Sequence, residues 1–235
     1  MRPALLLFSA TLLLATPALP AQTAGCKEVD SFLQTAAASL PGQDAAGDQA
    51  FATFRKTATE AARKAGASVS FDDPKVASCL LRRYVIAHYG DRMIADLQAM
   101  VRFQTAEVQG KENWDLPEFV RQREWLAAKA RALGLEFKSY DGRVEEITLP
   151  GPKPVLALLT HGDVQGVEGQ HWSSPPYEAK LVDGRIIGRG TEDDKGPIVA
   201  ALYVMAALRD AHWPLDSTLR LLIANGEESS WAEIP

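Results

Sequence analysis

Three clusters of polar residues in the second half of the sequence carry side chains that could bind a metal ion. They occupy residues 160–163, 189–196 and 225–228. Together they contain one histidine, His161, and several carboxylates, which are ligand types that zinc favours. Carboxylates that lie close together repel one another, and a bound cation relieves this repulsion. We therefore expect a metal centre if the three clusters converge.

The spacing within the clusters allows distinct roles for the side chains. Asp163 lies two residues after His161, where its carboxylate could accept a hydrogen bond from the second imidazole nitrogen and fix the tautomer. Glu227 and Glu228 are neighbours, so in an extended backbone one could bind metal while the other holds water. Asp193 could bridge two ions with its two oxygens. Each cluster alone also fits a solvated loop or a helix cap, so the prediction depends on their combination.

Two strands and one helix must position these clusters. Residues 155–159 form a continuous apolar run, which is typical of a strand buried on both faces. Residues 197–211 predict a buried helix, and residues 219–224 predict another interior strand. This strand–helix–strand order predicts an α/β sheet with a parallel crossover. The first and third clusters would then follow strand carboxyl ends, where sites form in open sheets, and the second would open the helix.

Turn signals predict the rest of this α/β part. Asp141-Gly142 and Asp183-Gly184 each separate two strand-like runs, which indicates two hairpins. The expected fold class is therefore α/β, with a mixed, largely parallel sheet and helices on both faces, preceded by a helical N-terminal segment.

The preceding segment, residues 22–105, is predicted to be helical. Asp73-Pro74 is typical of a helix start, and Gly90-Asp91 indicates a stop followed by a new cap. His88 lies in this segment and is expected to be a packing residue rather than a metal ligand.

The first 21 residues have the pattern of a secretory signal peptide. Arg2 precedes an apolar run at residues 5–14, and residues 17–21 resemble a cleavage region. The run is shorter than the roughly 20 apolar residues that a spanning helix needs, and no later segment is predicted to span a membrane. We expect export to the periplasm or the exterior, with cleavage after Ala21.

The chain has two cysteines, Cys26 and Cys79. In an oxidising compartment they could form one disulfide, or they could be two separate buried thiols. Lipid attachment at Cys26 is the weaker alternative, because Thr23 stands where such sites prefer a bulky aliphatic residue. The formal net charge of -5 and the lack of a basic stripe argue against a nucleic-acid partner.

Taken together, the motifs resemble the M20 family of zinc peptidases and deacylases. The resembling stretches are residues 159–164, 188–196 and 226–231, and the resemblance covers about residues 95–235. His161 and Asp193 are 32 residues apart, an interval that also fits the family. The Asp-Asp-Lys-Gly and Glu-Glu-Ser-Ser-Trp sequences are most similar to the branch of carnosinases and PepV-like dipeptidases, which is related to succinyl-diaminopimelate desuccinylase.

The resemblance implies a site with two zinc ions. His161 would bind one ion, Asp193 would bridge both, and Glu228 would bind the other. Glu227 would be the general base, and Asp163 would orient His161. The resemblance also implies a cis peptide bond after Asp193. Its implied substrate is a small peptide, most simply a dipeptide, while the deacylases of the family would take an N-acyl amino acid on the same core.

The sequence departs from the family pattern at its end, because members continue well beyond the position of Pro235. They have a further acidic ligand, a histidine ligand near the C-terminus, and an inserted lid or dimerisation domain. His171 and His212 are poor replacements for the missing ligands. We therefore expect an N-terminal fragment that binds zinc weakly, does not turn over, and exposes apolar surface where strands are missing.

The expected organisation has three parts. Residues 1–21 form the signal peptide, residues 22–105 form the helical region, and residues 106–235 form the N-terminal part of the catalytic domain. A homodimer through the missing domain is possible. Two other classes stay open: a truncated, inactive scaffold or binding module, and a magnesium-dependent phosphohydrolase. The second would not need His161, and the sequence has no phosphate-cradling glycine loop.

Overall fold

The computed structural model describes residues 26–40 and 46–229 of the chain. The predicted signal peptide lies outside the described residues, and so do Ser230 and Trp231 of the third motif. In the described ranges, no helix is long and apolar enough to cross a membrane.

The N-terminal region is helical, as predicted. It contains α1 (Asp30–Ala38), α2 (Gly47–Lys64), α3 (Pro74–Tyr84) and α4 (Gly90–Val101). The carboxylate of Asp73 caps α3 by accepting the N–H of Lys75 at 2.9 Å, which confirms the predicted helix start.

The predicted stop at Gly90 is wrong. A wider turn of helix, Val85–Tyr89, joins α3 directly to α4, and Gly90 has helical φ and ψ of -51° and -50°. Tyr84, Val85 and Tyr89 are all buried here, so packing favours an unbroken helix over the local preference of glycine. His88 is 2% exposed and its ring stacks on Tyr84 with centroids 5.1 Å apart, which confirms a packing role.

A disulfide links Cys26, just before α1, to Cys79 in α3, with Cα atoms 5.6 Å apart. Of the two alternatives that the sequence left open, the structure therefore contains the bonded one. The bond ties the start of the described chain to the middle of the helical region.

The α/β part begins with α5 (Pro117–Ala132) and continues with strands and one further helix. These are β1 (Glu136–Tyr140), β2 (Val144–Leu149), β3 (Val155–His161), β4 (Lys180–Val182), β5 (Arg185–Ile187), α6 (Gly196–Asp210) and β6 (Thr218–Ala224). Both predicted hairpins are confirmed: β1 pairs with β2, and β4 pairs with β5 in a separate two-stranded sheet. Asp183 and Gly184 both have positive φ, as a tight hairpin turn requires.

The main sheet has the strand order β1-β2-β6-β3. Only β3 and β6 pair in parallel, whereas β1–β2 and β2–β6 are antiparallel. The predicted mixed sheet is thus confirmed, but "largely parallel" is wrong for the described sheet. The reason is that α6 is the one crossover helix between paired strands of the described chain, and the β1–β2 hairpin adds antiparallel strands beside it.

Helices cover one face of this sheet. Ile147 on β2 and Leu221 on β6 are register partners, so they share a face, and both belong to the main apolar cluster with buried residues of α5 and α6. On the opposite face, Leu222 and its β3 partner Leu159 lie outside that cluster. The expectation of helices on both faces is therefore wrong for the described residues.

The strand β3 is exposed rather than buried. Val155, Leu156, Leu158 and Leu159 are 46–58% exposed, which contradicts the prediction of a strand buried on both faces. The strand lies at the edge of the described sheet and pairs there with β6 alone, so no second strand flanks its apolar side chains.

Candidate functional site

The first and third polar clusters meet at one edge of the sheet, as predicted. In the parallel pairing of β3 with β6, His161 and Ala224 are register partners, so both strands end at the same level. The N–H of Gly162 donates to the carbonyl oxygen of Ala224 at 2.8 Å, which continues the pairing into the two loops. The second cluster lies at the start of α6, the crossover between these strands.

His161 is held through both ring nitrogens. Its Nε2 lies 2.9 Å from Oδ1 of Asp193, and its Nδ1 lies 3.1 Å from the backbone oxygen of Asp163. Burial lowers the pKa of His161, but the hydrogen bonds to Asp163 and Asp193 and the charge of Asp163 outweigh this effect and raise the pKa to about 9. In the absence of a metal, the imidazole is therefore protonated at neutral pH.

Asp163 lies at the centre of the site and is 1% exposed. One carboxylate oxygen accepts the N–H of Glu227 at 3.3 Å, and the other accepts the N–H of Glu228 at 2.9 Å. Its Oδ1 is also 3.5 Å from Nδ1 of His161. The contact of Asp163 with His161 was predicted from the sequence, whereas its contacts with the third cluster were not.

The second cluster forms an irregular turn, Thr191–Lys195, ahead of α6. The peptide bond between Asp193 and Asp194 is cis, as the resemblance implied. The Asp193 side chain is 76% exposed, whereas Asp194 turns inward and accepts the backbone N–H of His161 at 3.3 Å. Burial raises the pKa of Asp194, and the nearby His161 opposes that shift.

The two glutamates of the third cluster have different neighbours. Oε2 of Glu227 lies 3.8 Å from Nε2 of His161. Oε2 of Glu228 instead accepts a hydrogen bond from Nε2 of Gln165 at 2.9 Å. The two neighbouring side chains therefore reach different groups: Glu227 faces His161, and Glu228 faces Gln165.

Lys195 and Gln165 were given no role from the sequence. Lys195 is fully buried, and burial lowers its pKa to about 7 although Asp163 and Glu118 oppose the shift. Its place directly after an acidic pair was a usable signal. Gln165 lies in a loop, and nothing in its sequence context marked it. His171 and His212 are both exposed, and no described contact brings them to the site.

The donor types at this edge suit zinc, and His161 and Asp193 already lie in contact. Within residues 26–40 and 46–229, however, no group of three or more His, Cys, Asp or Glu side chains has the geometry to hold an ion. The described site therefore offers pairs of donors, and it does not form a closed coordination sphere.

Comparisons with known proteins point to one family. Residues 157–233 match the profile described as Peptidase family M20/M25/M40. The chain is 37% identical over 98 residues to "Putative dipeptidase YtjP" of Bacillus subtilis, covering 42% of this chain and 21% of that protein. It is 30% identical over 149 residues to a similarly named protein of Staphylococcus aureus (strain USA300), covering 62% of this chain and 32% of that protein. The chain thus spans about a fifth to a third of these relatives.

Two solved structures share the fold. Human carnosine dipeptidase 1 aligns with a TM-score of 0.57 and 24% identity, covering 66% of this chain and 36% of that one. The dipeptidase Dug1p of Saccharomyces cerevisiae aligns with a TM-score of 0.53 and 17% identity, covering 64% and 35%. These likenesses support the mixed α/β architecture.

Proposed function

We propose that this chain, whose residues 157–233 match the profile of peptidase family M20/M25/M40, forms part of a zinc-dependent dipeptidase that hydrolyses an amide bond. The observation that carries the proposal is the contact of His161 with Asp193, with Glu227 within 3.8 Å of the same imidazole nitrogen. Relatives named as dipeptidases favour a peptide substrate over an N-acyl amino acid.

The proposed roles follow the donor types and contacts. His161 and Asp193 would hold one zinc ion, and Asp193 and Glu228 would hold the other. When bound, zinc would supply Lewis-acid activation of a water molecule and of the scissile carbonyl. Asp163 keeps the His161 ring in place and fixes the backbone of both glutamates.

Glu227 would act as the general base. It would take a proton from the attacking water and pass that proton to the departing amine. Its carboxylate is half-buried beside His161, so it lies at the polar edge of the sheet without being sealed from a substrate. Glu228 is the weaker base candidate because Gln165 already binds its carboxylate.

We also propose that the protein works outside the cytoplasm. The Cys26–Cys79 disulfide supports this placement, because such bonds persist in oxidising compartments. Dimerisation and the division of the chain at residues 21 and 105 stay predictions.

The test is Glu227→Gln in the protein expressed from its complete coding sequence. We expect the variant to retain zinc and to lose dipeptide hydrolysis by about 10²–10⁴-fold, the usual contribution of a general base. Glu136→Gln is the control, because Glu136 is an exposed residue of β1 away from the site. Near-normal turnover in Glu227→Gln would refute the assignment. If the wild type hydrolysed N-acyl amino acids and no dipeptides, it would be a deacylase. If the wild type bound no zinc and had no activity, it would be a scaffold.

A further inference from the structure

A short segment that begins in the last turn of α4 contacts two of the three polar clusters. We call residues 100–106 the junction segment, since it leads from the helical region to the α/β part. Nζ of Lys195 donates to the carbonyl oxygens of Met100 at 3.1 Å and Phe103 at 2.6 Å. On the other side, Oγ1 of Thr105 donates to the carbonyl oxygen of Gly162 at 2.6 Å.

The Lys195 contacts have a clear physical basis. Met100 and Phe103 lie in and just after the last turn of α4, which ends at Val101. Carbonyl groups at a helix C-terminus lack partners within the helix and carry a partial negative charge. A buried ammonium group is costly unless such acceptors surround it. Lys195 therefore binds the carboxyl end of α4 from a position inside the protein.

The Thr105 contacts are part of a longer pairing. The N–H of Val164 donates to the carbonyl oxygen of Thr105 at 2.9 Å, and Ala106 forms a parallel bridge with Val164. Thr105 is fully buried, so its hydroxyl group has no water as an alternative partner. The backbone on either side of Asp163, at Gly162 and Val164, is thus bound to the junction segment.

The junction segment consequently holds two groups that must stay together. Lys195 lies two residues after Asp193, and Gly162 directly follows His161. The 2.9 Å contact between His161 and Asp193 links two chain segments. The junction segment binds both of these segments through neighbouring residues. A third element that binds both loops fixes their separation more firmly than their own contact can.

We propose that Lys195 and Thr105 are positioning residues, through which the junction segment sets the spacing of His161 and Asp193 for metal binding. This inference rests on the proposed function. It assigns the helical region a task in the site beyond packing. Neither residue touches the reacting atoms in this account; each acts through the loop that it holds.

Two substitutions test the proposal in the complete protein. Thr105→Val removes the hydroxyl group and keeps the shape, and Lys195→Met removes the ammonium group and keeps an apolar stem. Their matched controls are Thr148→Val and Lys129→Met, which remove side-chain hydrogen bonds to Glu146 and Asp96 away from the three clusters.

We expect both test variants to bind zinc 10- to 100-fold more weakly, as loss of an outer supporting contact usually does. The control variants should bind zinc with the affinity of the wild type, even where their thermal stability falls as much as that of the test variants. Chelator competition measures the affinity, and thermal unfolding measures stability. Equal zinc affinity in test and control variants would overturn the proposal, and so would losses that follow stability alone. If Lys195→Met does not fold, the isosteric Thr105→Val decides.

A second readout separates this proposal from the proposed function. The ring nitrogen resonances of His161 report its hydrogen bonds to Asp163 and Asp193 in the metal-free protein. We expect them to shift in Thr105→Val and Lys195→Met and to stay unchanged in the controls. If the wild type neither binds zinc nor cleaves dipeptides, the proposed function fails, while these resonances still decide whether the junction segment positions His161. Unshifted resonances in both test variants refute the positioning role.

Discussion

The substitution Asp163→Asn tests how one buried carboxylate organises the site. Its two oxygens each accept one backbone N–H, from Glu227 and from Glu228. An asparagine side chain keeps one oxygen and turns an NH₂ group toward the other N–H. A buried donor left without an acceptor costs about 1–3 kcal/mol, so we expect the metal-free protein to lose about 2 kcal/mol of unfolding free energy.

The zinc affinity responds to Asp163→Asn through two effects of opposite sign. The less ordered glutamate loop and the freer His161 weaken binding by about 10–100-fold. Conversely, Asp163 helps to raise the pKa of His161 to about 9, and a protonated imidazole cannot bind zinc. The substitution lowers that pKa, so protons compete less well at neutral pH. The weakening should be partly masked at pH 7 and fully visible near pH 10.

Chelator-buffered zinc titrations at these two pH values, with urea unfolding of the metal-free protein, measure both effects. Asp183→Asn is the control, because Asp183 is an exposed turn residue with φ of 48°, a conformation that asparagine tolerates. If Asp163→Asn equals the wild type in stability and in zinc affinity at both pH values, the carboxylate does not organise the site. If the zinc affinity of Asp163→Asn fell by the same factor at both pH values, only the proposed competition between protons and zinc would be refuted.

Three further predictions use other parts of the molecule. Because folding raises the pKa of His161 from 6.5 to about 9, its stabilisation is complete below pH 6.5 and lost as pH rises through about 9. Urea titrations of the metal-free protein should show that the unfolding free energy falls by about 3 kcal/mol over this pH range, and that His161→Asn lacks this fall. An equal fall in both proteins would contradict the prediction. The Cys26–Cys79 bond closes a loop of 53 residues, so the double substitution to alanine should cost about 4 kcal/mol in chemical denaturation, and under 1 kcal/mol would count against it. Leu156→Lys on the exposed strand β3 should reduce self-association of the protein, measured by light scattering. Unchanged scattering would show that the protein does not associate through this edge strand.

Much of the site could be predicted because it depends on local order in the sequence. Clusters that follow strands β3 and β6 had to meet once a helix of suitable length joined those strands in parallel. The hairpin turns were equally predictable, since Asp-Gly pairs tolerate the positive φ that such turns need.

The errors arose where distant parts of the chain decide the outcome. An apolar run such as β3 does not reveal how many neighbours its strand will have, and β3 proved to be an edge of the described sheet. A glycine followed by aspartate suggests a helix stop, but at Gly90 the buried side chains on either side favour continuation. Neither fact can be read from a short window of sequence.

The candidate metal ligands could be predicted from the sequence alone. The types and intervals of His161, Asp193 and Glu228 predict an imidazole and carboxylates at one edge of an α/β sheet, because strand ends and helix starts are encoded locally. The contacts that hold these side chains in place could be found from the folded chain alone. Asp163 reaches an amide 65 residues away, and Lys195 reaches a carbonyl 92 residues away. Such contacts follow from how buried polar groups find partners after the chain has packed, and no local pattern specifies them.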